Sequence, residues 1–319
     1  MNRHRGGACA PRPQVGRFWS MARTKSIVLD SSVLFQLGNA DWDFLKDLTR
    51  AGHIQVWDSV VGLIELIRHI HQPDCGLRDK TGWVANRCCR LEEIAPKHML
   101  PHPGLVVQRA LQEWLKWNRS ETEVIRETNR YLALRKLLAE KRKLADDPEI
   151  VEHLLGPTED ISKAFQDSLD SLRAEMHADY VDKVRTKIGE KPGRFRNILT
   201  SHIQKQADWQ SSMFVRLMEH HNVRDKVKAA VALEWRKIPF LQRLLSIYNL
   251  QIGRFVDTDR PATVEDFIDF EWAAYISSSR IDLFLTNNER DFQQALLNAP
   301  EISRKVRTWT EFRSDASSR

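Results

Sequence analysis

Apolar positions fall into two rhythms along the chain. Residues 26–29 are a short β-branched and aliphatic run that reads as a strand, and Asp30-Ser31-Ser32 follows it directly as a turn or helix cap. Residues 41–51 place Trp42, Leu45 and Leu48 on one face of an amphipathic helix, and 53–57 read as a second strand. Ser59 then caps a helix whose Val60, Val61, Leu63, Ile64, Leu66, Ile67 and Ile70 are all apolar. This strand–helix alternation predicts a parallel α/β sheet.

The rhythm changes after residue 72. Pro73, Pro96, Pro101 and Pro103 punctuate a connection, and helical patterns follow over 104–118, 120–145, 159–187 and 208–250. Breaks are expected at Gly156-Pro157 and Pro192-Gly193, and strand signals are nearly absent. From about 254 the α/β pattern returns. Thr263 caps a helix to about Ser277, 281–285 is a strand, 291–297 a helix and 305–309 a last strand. The expected organisation is a disordered basic tail (1–22), a first α/β part (23–72), a helical insertion (73–250) and a second α/β part (251–319).

Composition narrows the class. No run approaches the roughly 18 apolar residues of a membrane span, so a membrane partner is not expected. The formal charge is +6, but Arg3, Arg5, Arg12 and Arg17 in the acid-free first 20 residues supply four of it, leaving +2. Basicity is therefore a local matter here. The tail reads either as residues upstream of a true start at Met21 or as a transit peptide. Cys9, Cys75, Cys88 and Cys89 make no disulfide framework, which points to a reducing cytoplasm. His69, His71, Cys75, Cys88, Cys89, His98 and His102 crowd one region, but without a C-x₂-C pair they read as scattered polar and core residues rather than a zinc site.

Against this background a few carboxylates stand where packing alone would not ask for them. Asp30 follows the first strand at its carboxyl end, where open parallel sheets bind ligands; its alternative role is an N-cap. Glu65 is the one charged residue between Val60 and Ile67, and a buried carboxylate is costly unless paired or metal-bound; its alternative is an ion pair with Arg68. Asp269 lies inside a helix already capped by Thr263 and Asp266, with a solvated acidic face as the alternative. Glu271 replaces it if the helix is rotated. Asn288 and Asp291 follow the 281–285 strand, either as a further metal-binding pair or as a helix cap, and Thr286 is placed to orient a water or a carboxylate. Clustered carboxylates with open metal positions suit Mg²⁺ or Mn²⁺ acting on a phosphodiester.

Taken in order, these segments resemble the PIN-domain nuclease family. Leu29-Asp30-Ser31-Ser32-Val33-Leu34 is similar to its opening hydrophobic-D-[TS]-[SN]-hydrophobic motif, and Val60 to Leu66 to its S-x-x-x-x-E-L helix, with Glu65 as the second acid. Asp269 stands four residues before Ala273-Ala274, as in its D-x-x-I-A-A segment. Leu285 through Asp291-Phe292 is similar to its closing L-x-T-x-[DN]-x-x-D-F signature, with Asn288 at the fourth acid position. The resemblance covers 23–70 and 255–312. It implies a five-stranded parallel sheet flanked by helices and Mg²⁺- or Mn²⁺-dependent endonucleolytic cleavage, of RNA more than DNA. Asp30, Glu65 and Asp269 would hold the metal, with Asn288 or Asp291 at the second position and Ser31, Ser32, Thr286 and Glu271 in support. A toxin–antitoxin or defence setting, with an inhibitor protein as partner, follows by analogy alone. The rival expectations are an inactive PIN-like RNA-binding or scaffold protein and a structure-specific DNA nuclease.

Nucleic-acid contacts are expected from 184–205. There Arg185, Lys187, Lys191, Arg194, Arg196 and Lys205 face only Glu190, and Phe195 could stack on a base; a solvated loop is the alternative. Lys136, Lys141, Arg142 and Lys143 are balanced by acids and read as helix surface. Trp114, Trp117, Trp209 and Trp235 read as core.

Overall fold

A computed structural model describes residues 23–72, 76–117, 121–176, 207–257, 263–288 and 300–317. Strand β1 (Lys25–Leu29) is followed by α1 (Ser31–Gln36) and α2 (Asn39–Arg50). Strand β2 (Ile54–Ser59) runs straight into α3 (Val60–His71), and α4 (Lys80–Ile94) precedes β3 (Met99–Leu100). The chain then forms α5 (Pro103–Trp114), α6 (Glu121–Glu140), α7 (Pro148–Met176), α8 (Ala207–His220), α9 (Asp225–Val231) and α10 (Pro239–Asp257). Finally α11 (Val264–Ser277) leads to β4 (Leu283–Leu285), α12 (Pro300–Ser303), β5 (Val306–Arg307) and α13 (Trp309–Ser317).

The five strands form one all-parallel sheet in the order β3-β2-β1-β4-β5. Residues 27 to 29 of β1 are fully enclosed, as in a parallel sheet covered by helices on both faces. From β1 the chain crosses to β2 on one side, while β4 arrives on the other. The strand order therefore reverses between β1 and β4, the place at the carboxyl edge where open parallel sheets bind ligands.

Local signals account for most elements. Ser59 accepts from the Gly62 amide at 2.9 Å, and Thr263 and Asp266 form a reciprocal capping box at the start of α11. Trp42 and Leu45 bury the apolar face of α2, with Leu48 packed beside them. Helix α3 is apolar almost all round because it is enclosed almost all round: Val61, Leu66 and Ile67 belong to three different apolar clusters.

Helix α7 continues through Gly156-Pro157. Proline removes one backbone hydrogen bond at a cost of roughly 3 kcal/mol, offset here by the packing of Leu154 and Leu155 before it and Leu169 after it. The 208–250 pattern is three helices and a short 3₁₀ turn, not one continuous stretch, with Asn222 at φ 46° turning the chain after α8. Helix α4 and the fifth strand, β3, lie within the stretch read as an irregular connection; two residues of strand carry no period for a sequence pattern to reveal. Trp235 is core, whereas Trp114 and Trp117 are 39% and 37% exposed at the end of α5, where apolar periodicity runs past the packed face. The Trp209 side chain, the expected 291–297 helix and the Pro192-Gly193 break lie outside the described residues.

One buried ion pair ties the helical region to the sheet. Arg135 of α6 is fully enclosed and donates to Asp58 at 2.8 Å, Glu92 at 2.7 Å and the Ala95 carbonyl at 2.8 Å. Asp58 is the last residue but one of β2, so α6 is anchored to the strand from which α3 departs. Among the described residues no helix is long and apolar enough to cross a membrane.

Candidate active site at the carboxyl edge of the sheet

Asp30 occupies the N-cap position of α1, yet its side chain caps nothing. Its Oδ2 instead accepts from Ser32 Oγ at 2.5 Å and from Thr286 Oγ1 at 2.6 Å. Thr286 is fully buried and comes directly after β4, so the two loops at the strand-order reversal meet on one carboxylate. The Asn287 amide donates to Ser32 Oγ at 3.0 Å and the Asn288 amide to Thr286 Oγ1 at 3.0 Å, which closes the β4 loop onto the β1 loop.

Glu65 approaches from α3 and Asp269 from the first half of α11. Ser31 hydrogen-bonds both Asp30 and Glu65, and Trp272 Nε1 donates to Glu65 Oε2 at 2.9 Å. Burial pushes the Glu65 carboxyl well above its ordinary range, and the charges of Asp30 and Asp269 push it the same way against the bonds from Ser31 and Trp272. Asp30 is also raised by burial, against the hydroxyl bonds it receives. Each of the three carboxylates thus arrives from a different part of the chain, and Glu65 feels the other two.

Glu271 does not join them. Two residues along a helix turn the side chain by about 200°, so Glu271 faces away from Asp269 and meets His220 on α8. The reserve role for Glu271 in the acidic site is withdrawn. Asn288 is half-buried, and its backbone amide, not its side chain, makes the contact with Thr286. Asp291 and the basic set Arg185, Lys187, Lys191, Arg194, Phe195 and Arg196 lie outside the described residues. Lys136, Lys141, Arg142 and Lys143 are exposed, as expected for a helix surface.

A feature beside the acids escaped the sequence reading. Phe35 of α1 stacks on His69 of α3 with ring centroids 4.3 Å apart, and Trp83 of α4 lies 5.5 Å from Phe35. The Arg87 guanidinium sits over Trp83 at 5.3 Å. His69 is one helical turn after Glu65, and that i, i+4 spacing was the available signal. The partners on α1 and α4 were not readable from it.

The donor set can be matched to a cation on chemistry. Three carboxylates with hydroxyl groups around them are hard oxygen ligands, which suit Mg²⁺ or Mn²⁺ better than a thiophilic ion; their oxygens do not all lie within 4.8 Å of one another, so side chains must rotate inward to share one ion. Their mutual repulsion is relieved by a proton on Glu65 or by a cation among them. Comparisons of the chain with protein-family models, with curated proteins and with solved structures each found no match, so the chemistry of this site rests on its own residues.

Proposed function

We propose that this protein is a PIN-like, Mg²⁺- or Mn²⁺-dependent endonuclease acting on single-stranded nucleic acid, with RNA as the favoured substrate. The observation that carries the reading is that Glu65 feels the charges of both Asp30 and Asp269, with Asp30 at the reversal of strand order. Such a reversal is where a parallel sheet binds ligands, and like charges gathered there are otherwise unfavourable. The family resemblance of the same residues, in the same order, points to the same chemistry.

In this reading Asp30, Glu65 and Asp269 hold the cation. When bound, it lowers the pKa of a water and offsets charge on the attacked phosphate. Thr286 and Ser32 fix the rotamer of Asp30, and Trp272 fixes that of Glu65, so little reorganisation is left for the reaction. Phe35, His69 and Trp83 form an aromatic rim beside the acids on which an unpaired base can stack. The resemblance adds Asn288 or Asp291 to the carboxylate ligands at the second metal position.

The test is cleavage of single-stranded RNA and DNA in Mn²⁺ by the full chain and by Asp30→Asn and Asp269→Asn variants. Metal-dependent cutting that each substitution lowers by at least ~100-fold is expected. Cutting that survives both substitutions would remove these residues from the mechanism. Binding of RNA with no cutting under any divalent ion would favour an inactive scaffold.

A further inference from the structure

The other face of α11 carries a second constellation. Glu271 is 4% exposed, and its Oε1 lies 2.6 Å from His220 Nε2 and 4.0 Å from His221 Nδ1. These three ligand atoms lie within 4.8 Å of one another, a grouping found nowhere else among the described residues. His220 and His221 come from the end of α8, Glu271 from α11.

Two polar atoms in this cluster are buried without a hydrogen-bond partner, and both face inward: Nδ1 of His221, which is 3% exposed, and Oε2 of Glu271. An orphaned ring nitrogen in the interior is costly. Tyr248 Oη lies 2.9 Å from Nε2 of the same ring. With Nε2–H given to Tyr248, the Nδ1 lone pair is left pointing at the carboxylate. That is the arrangement of a metal-binding imidazole, whose other nitrogen is held by a neighbour.

His102 completes the surroundings in another role. Its Nδ1 accepts from the Gly104 amide at 3.2 Å, so in the neutral ring Nε2 carries the proton, 3.9 Å from Glu271 Oε2. It faces the cluster as a donor, not a ligand. Gly104 allows this approach: a Cβ there would come within 2.7 Å of the His221 carbonyl oxygen. Phe165 and Phe267 pack on the His220 ring and Phe270 on Tyr248, which holds both rings in place. His220 and Tyr248 also line a cavity of about 880 Å³, which gives an ion a way in.

We propose that His220 Nε2, His221 Nδ1 and the Glu271 carboxylate bind a zinc-class divalent cation, with a fourth position left for water near the His102 N–H. Two imidazoles and one carboxylate prefer such an ion to Mg²⁺, and bonds of about 2.0–2.1 Å place tetrahedral ligand atoms roughly 3.3 Å apart. The separations of 2.6 and 4.0 Å bracket that figure, so small side-chain rotations form the site. The ion ties the end of α8 to α11 on the side opposite Asp269. It is chemically distinct from the all-oxygen site and does not depend on what that site does.

The experiment is titration of the full chain with Co²⁺ as a zinc surrogate, in excess Mg²⁺, followed by displacement with Zn²⁺. Intense visible ligand-field bands, stoichiometric with the chain and abolished by Zn²⁺, are expected. They should persist in an Asp30→Asn/Glu65→Gln variant and weaken at least ~10-fold in apparent affinity in Glu271→Gln. Failure of the wild-type chain to give these bands overturns the proposal without reference to any variant. Bands that survive Glu271→Gln unchanged, or vanish with Asp30→Asn/Glu65→Gln, overturn it too, since the ion would then sit elsewhere.

Discussion

At position 65 a carboxylate sits on a helix whose neighbours from Val60 to Ile67 are apolar, and two other carboxylates face it. Its folded-state pKa is raised, so the folded chain holds that proton more tightly than the unfolded one. The sign follows: the contribution of Glu65 is most favourable below the ordinary carboxylate range and is lost as pH rises toward the folded value. Without divalent ions at neutral pH, Glu65→Gln should therefore raise the melting midpoint by about 2–4 °C. In Mn²⁺ the order should reverse, because only the wild type has the ligand. A calorimetric scan with and without Mn²⁺ checks both, and a variant less stable than wild type in chelator would argue against repulsion at this residue. Thr286 offers a second test, since it donates to Asp30 from a fully buried position. Thr286→Val removes one donor worth roughly 1–2 kcal/mol, so cleavage should fall about tenfold, with the acid limb of its pH profile moved upward. Thr286→Ser should keep both.

Among the elements, α11 shows how a helix serves two sites. Asp269 and Trp272 lie on the side facing Glu65, whereas Glu271 faces α8. Its all-round apolar neighbours, Phe267, Ile268, Phe270, Ala273 and Ala274, are buried, so the helix cannot rotate without exposing one face. Helix α6 makes a different contribution. Arg135 supplies the cation that offsets Asp58 near the end of β2. Arg135→Leu leaves that carboxylate buried and unpaired, at about 3–5 kcal/mol. Adding Asp58→Asn should recover part of the loss, and urea midpoints of the single and double variants measure the coupling. Full additivity of the two changes would mean that the pair is not coupled.

Across the whole molecule, pH acts on the two sites in opposite senses. His221 is enclosed, and burial together with the neighbouring His220 charge lowers its pKa from 6.5 to about 3. The unfolded chain thus takes up a proton that the folded chain refuses. The stability His221 contributes is complete above pH 6.5 and is lost as pH falls toward 3. In chelator, the stability difference between wild type and His221→Gln should shrink steadily over that interval. Denaturant titrations at stepped pH read it directly, and a constant difference would show that the ring is not held neutral. At the aromatic group, Phe35→Ala or Trp83→Ala should weaken single-strand binding by about 1–3 kcal/mol, while leaving Mn²⁺ binding intact.

How much of this was legible depends on the range over which each signal acts. Period-two and helical patterns, the Ser59 cap and the Thr263–Asp266 capping box are local, and they sufficed for the α/β alternation, for the positions of β1, β2 and β4, and for Asp30, Glu65 and Asp269 as unexplained carboxylates. The sequence could not say which way α11 faces, because Asp269 and Glu271 stand in similar local contexts and only packing on α3 and α8 separates them. Strand β3 had no pattern to show, being two residues that extend because β2 offers them backbone partners. The continuity of α7 through Pro157 overrode a local preference by burial on either side. The Asp58–Arg135 pair and the grouping of His102, His220, His221 and Glu271 join positions far apart in the chain, and only the folded arrangement brings them together. By itself the sequence determined the α/β alternation, most of its strands and the candidate acids, through forces that act within a few residues. Which acids share a site was decided by tertiary packing, because the direction of a side chain depends on what its helix is pressed against.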